Sequence, residues 1–172
     1  MAGSTSAAAE GFSDTLADPS IQIDIPKLVP MDLAIHPLNS SKPHLRQLGT
    51  GGGYTVSVMV PTADPGMTAE HCMRSSVPAI LKNFGVGSDQ VILKKPDENT
   101  YALIFILKAS PPQMQGYLFG KAETDHCVEV HISEFPQDKN AALSFAEMIL
   151  SGRITSPAPN RALQGTPPER RP

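Results

Sequence analysis

The sequence predicts an α+β fold, an antiparallel sheet with a helix covering each face. Three observations predict it. Apolar and polar residues alternate with period two through much of the middle of the chain. Four consecutive strand-like segments are joined by turn-forming residues, and two segments carry an apolar stripe at helical spacing. The chain has 172 residues, 40% hydrophobic and 18% charged, which suits one globular domain and excludes a fully disordered chain.

Ile21, Ile23 and Ile25 alternate with Gln22 and Asp24 until Pro26 stops the run, as in an edge or first strand. Leu28 to Ile35 reads as a second strand, broken by Pro30 and closed by Pro37. Asn39 to Gly53 reads as a Pro-, Ser- and Gly-rich loop, partly mobile. Its glycines precede a strand, whereas a phosphate cradle follows a strand and opens a helix, so they are read as a flexible turn. Tyr54, Val56, Val58 and Val60 form one face of the next strand. In Thr68–Phe84, Met73, Val77, Leu81 and Phe84 share a helical stripe, and Pro78 is expected to kink or split that helix.

The central meander comprises Asp89–Lys94, Thr100–Lys108, Gln115–Lys121 and Asp125–Ser133. Tyr101–Leu107 is apolar on both faces, which predicts a strand at the centre of a sheet covered above and below. The last helix, Asp138–Ser151, has a capping Asp138, an apolar face of Ala142, Phe145, Met148 and Ile149, and Gly152 at its end. The folded part is expected to span 21–154. Residues 1–20 are rich in Ala, Ser and Gly, and 155–172 carry five prolines and three arginines, so both ends are expected to be disordered.

The early strand ending in Pro (Ile21–Pro26), the meander, and the last helix followed by a short extended piece (Ser144–Ile154) together resemble the PsbP-like fold, an α/β/α sandwich around an antiparallel sheet. That resemblance implies a non-enzymatic protein that binds other proteins or assists assembly, and it carries no catalytic residues across.

The net charge of −3 argues against a nucleic-acid binder, and no run of ~18 apolar residues is present to span a membrane. The densest polar cluster is Asp125–His131. On a strand, Cys127, Glu129 and His131 share one face and Val128, Val130 and Ile132 take the other. Cys, Glu and His all ligate zinc, but the outer two of three alternate residues lie ~13 Å apart, too far for one ion. A metal or thiol site therefore needs a group from elsewhere, and His71 is the candidate. His71-Cys72 and His126-Cys127 are neighbours in sequence only, since adjacent side chains diverge on strands and helices. The bland alternative is a polar strand face with no metal and no cofactor, and this is the expectation.

Cys72 and Cys127 allow one disulfide if the first helix packs over the last meander strand. The N-terminus shows no signal-peptide pattern, which points to the cytoplasm; a bonded pair points instead to a periplasmic or secreted protein. Tyr54, Tyr117 and Phe119 are candidates for a partner surface, with burial in the core as the alternative. Two function classes follow. The first is a non-catalytic protein-binding module, such as a secretion chaperone, an immunity-type inhibitor or an assembly factor. The second is a small metal or thiol enzyme built on His71, Cys127, Glu129 and His131.

Overall fold

A computed structural model describes residues 12–17, 20–26, 28, 34–35, 44–51, 53–122, 125–136 and 138–156. In chain order the elements are β1 (Phe12–Ala17), β2 (Ser20–Ile25), β3 (Ala34–Ile35), β4 (Leu45–Gly51), β5 (Tyr54–Met59) and α1 (Ala69–Phe84). A short 3-10 turn at Ser88–Gln90 leads into β6 (Val91–Lys94), β7 (Tyr101–Leu107), β8 (Gln113–Ala122), β9 (His126–Glu134), α2 (Lys139–Ser151) and β10 (Arg153–Thr155). Among the described residues these strands form an α+β sandwich with two antiparallel sheets. One has seven strands in the order β3-β4-β5-β9-β8-β7-β6, and the other has three in the order β1-β2-β10.

The meander is present as β6 to β9, and α2 starts at the expected cap, Asp138, while α1 is capped by Thr68, the first residue of its expected span. The Thr68 side chain accepts from the His71 amide and Asp138 from the Ala141 amide. Gly85 closes α1 at φ 65°, a left-handed conformation that glycine adopts without a side-chain clash. The helices meet alternate residues of β7. Met73 and Ile80 of α1 cluster with Leu103, Phe105, Tyr117 and Phe119. Phe145, Met148 and Ile149 of α2 cluster with Ala102, Ile104, Leu118, Val130 and Ile132, and with Ile21, Ile23 and Ile25 of β2. Gly116 lets α2 approach β8 closely, since a Cβ there would lie 2.5 Å from the Ile149 side chain.

Five expectations are corrected. Residues 12–17 of the supposedly disordered N-terminus form β1, whose Leu16 packs against the core and pairs with Ile21; only Phe12 and Leu16 are large and apolar, so its alternation is weak. The expected strand Leu28–Ile35 is a strand only at Ala34–Ile35 among its described residues, and Leu28 is a buried bend. The expected loop at 39–53 contains β4, which pairs with β5. A register shift between Leu45 and Gln47 breaks its alternation, and Gly51 faces Tyr54 across a two-residue connection that includes Gly53 at φ 89°. Of the kink or split expected at Pro78, the split does not occur: α1 runs unbroken through it from Ala69 to Phe84, and Pro78 and Arg74, whose carbonyl loses its donor, are both exposed residues. Finally, β7 lies one strand in from the β6 edge, while β9 occupies the centre. Apolar residues on both faces report cover above and below, not position in the strand order. The tail beyond residue 156, like residues 1–11, lies outside the described residues.

Candidate functional site

The polar cluster read from the sequence lies on β9 beneath α1, and its members are engaged one by one. Cys127 is joined to Cys72 of α1, with an S–S distance of 2.02 Å and Cα atoms 5.5 Å apart. Its sulfur is therefore neither a nucleophile nor a ligand while the bond holds. The Nδ1 of His71 lies 3.4 Å from the Thr68 amide, which it caps at the start of α1. Glu129 is buried and accepts a hydrogen bond from Ser76 of α1. His131 Nε2 lies 2.6 Å from Gln115 Oε1 on β8, and its ring stacks on Tyr117 with centroids 4.3 Å apart. Among the described residues no three His, Cys, Asp or Glu side chains stand together to hold a metal ion. The four residues His71, Cys127, Glu129 and His131 are thus not assembled into one reactive centre.

The electrostatics of this row follow from burial. Desolvation pushes the Glu129 carboxyl up, partly offset by the Ser76 hydrogen bond, and pushes the His131 imidazole down to about 4. The two groups give opposite pH dependences. An unfolded His takes up a proton near pH 6.5 that native His131 refuses until about pH 4, so its share of stability is lost as pH falls through that window. Glu129 costs stability as pH rises above the ordinary carboxylate range, because the unfolded chain releases its proton first. Glu129→Gln is therefore expected to raise the Tm at pH 8 by a few degrees and by much less at pH 4. Calorimetry at the two pH values checks this, and a lower Tm at pH 8 would contradict it.

The aromatic candidates divide. Tyr117 and Phe119 are 4% and 1% exposed beneath α1, so they form core and not a partner surface. Strand aromatics on a covered face gain more from burial than from waiting for a partner. Tyr54 is half-buried against the larger core cluster, and its hydroxyl hydrogen-bonds Glu134.

A different surface, missed in the sequence, has the character of a binding site. An apolar groove of about 900 Å³ opens beside the β6 edge. On the α2 side it is lined by Ile92, Ile104 and Ile106 of the sheet and by Ala142, Leu143 and Ala146 of α2; at the sheet's edge it reaches Phe84 and Val86, which pack on the α1 side. Ile92 pairs with Ile104 in the sheet, so both lie on the side that α2 packs against. That helix rests on β8 and β7 and stops short of β6. Ile92, Ile106 and Leu143 are left 47%, 49% and 65% exposed as a result. A contiguous apolar surface of this kind marks a contact site more often than isolated exposed residues do. The available sequence signal was Leu143, which lies off the Ala142–Phe145–Ile149 stripe and has no core to face.

The chain matches no protein-family model and no curated protein. No helix among the described residues is long and apolar enough to cross a membrane.

Proposed function

We propose that the chain is a non-catalytic protein-binding module, acting as a secretion chaperone, an immunity-type inhibitor or an assembly factor. The observation that carries this reading is the groove: three large apolar side chains, Ile92, Ile106 and Leu143, open to solvent around one trough. Covering them with a partner's apolar side chains gains ~25 cal/mol per Å² removed from water. The architecture we propose is a PsbP-like sandwich with one helix over each sheet face. The pattern of α1 and α2 meeting alternate residues of β7 supports it. The Cys72–Cys127 bond supports an oxidising compartment, periplasmic or extracellular. No specific observation favours the enzyme reading, because Cys127 is bonded and His71 is held at a helix cap.

Recovery of the protein with its partner from native cells tests this reading. The unmodified chain is expected to bring down a discrete protein in near-equal amount, and Ile106→Glu is expected to reduce that recovery at least ~10-fold. Ile106 is half-exposed, so the substitution should leave the Tm within a few degrees. Equal recovery by both proteins would overturn the assignment of the groove.

A further inference from the structure

We infer that the groove receives an amphipathic helix with acidic residues at one end, supplied by the partner. The inference rests on the protein-binding reading and names the partner's chemistry. Shape comes first. Beside α2, which rests on β8 and β7, β6 and the Ile106 end of β7 have no helix above them, and Ile92, Ile106 and Leu143 are all exposed there. A third element in this layer would lie alongside α2 at ordinary helix-packing distance and cover Ile92, Ile106 and Leu143 together. A strand added to the β6 edge would extend the sheet but leave the Ile106 and Leu143 side chains in water, so the exposed residues favour a helix.

Charge sets the partner's polarity. The charged side chains lining the groove are Lys108 and Lys139, both exposed, although the chain as a whole carries a net charge of −3. The nearby Asp138 carboxylate is turned to the Ala141 amide at the α2 cap, 2.9 Å away. The two lysines share one end of the trough. Residues 145 and 149 of α2 lie over Gly116, and Gly152 lies beside Leu118, so α2 runs in the direction of β8. Its first residue, Lys139, therefore lies toward Met114, which pairs with Ile106 two positions before Lys108. Acidic side chains at one end of the incoming helix, or its negative C-terminal dipole, would meet this pair, and a basic helix would be repelled.

Fluorescence anisotropy with three labelled peptides of ~14 residues tests the inference on the full chain. The first carries a Leu stripe at helical spacing and Glu in its last turn; the second replaces those Glu residues by Lys; the third has the first peptide's composition in strand alternation. The expected result is that the first binds at least ~10-fold tighter than the others, gains helical circular dichroism on binding, and loses affinity to Ile106→Glu. A Lys108→Glu, Lys139→Glu double variant should reverse the preference between the first two. Tighter binding of the alternating peptide, lost with Ile106→Glu, would overturn the helix and leave the protein-binding reading standing. Equal binding of the acidic and basic peptides would overturn the charge assignment. Self-association of the chain abolished by Ile106→Glu would assign the groove to a second copy and overturn the inference. Binding of none of the peptides at ~1 mM would overturn it too, and the co-recovery experiment above then decides separately whether the groove binds a protein at all.

Discussion

Phe105→Ala is expected to cost ~3–5 kcal/mol of folding stability, read as a shift of the midpoint in chemical denaturation. Phe105 is 2% exposed on β7, where its ring lies 5.5 Å from Phe84 at the end of α1 and 6.2 Å from Tyr117 on β8. Truncation removes the burial of a phenyl ring and leaves a cavity bounded by backbone that is hydrogen-bonded on both sides, since β7 pairs with β6 and β8. The neighbours cannot collapse into that space without breaking the sheet register. The loss is a large share of the ~5–15 kcal/mol typical of a domain. A cost below ~1 kcal/mol would mean that α1 does not cover this strand.

Removing the Cys72–Cys127 bond as the Cys72→Ala, Cys127→Ala pair is expected to cost ~4 kcal/mol. The two cysteines are 55 positions apart, so the bond restricts a long stretch of the unfolded chain, and the chain-entropy argument assigns a long loop a large effect. Both side chains are buried, at 1% and 7%, in a small cluster with Ala63, so the replacement also leaves unfilled space beneath α1. Thiol titration of unreduced, denatured protein should find no free thiol. Two free thiols per chain would remove both the stability argument and the support for an oxidising compartment.

The readable parts of the sequence are those where one physical signal acts alone. The apolar stripes of α1 and α2, with the capping Asp138 of α2, mark those helices because side chains three and four apart must face a common core. The meander is legible because its turns fall between runs with strand alternation. The elements missed have that signal diluted. In β4 the register shift at Leu45–Gln47 interrupts the alternation, and β1 has too few large apolar residues to be seen without β2 beside it. The candidate site was hidden for a different reason. Ile92, Ile106 and Leu143 look like core residues in sequence, and only the reach of α2 over the sheet leaves them outside it. The residues able to ligate a metal, His71 with Cys127, Glu129 and His131, are divided in the fold among a helix cap, a disulfide and two separate hydrogen bonds.

The groove beside β6 is the proposed place where this protein holds another. Photo-cross-linking in native cells tests it most directly, with a benzophenone side chain introduced at Leu143, at Ile106, or at the exposed and distant Glu98. Glu98 lies by a separate cleft near Thr155, away from the groove. One adduct of the same partner is expected from both Leu143 and Ile106, and none from Glu98. An adduct from Glu98 with none from the two groove positions would contradict it.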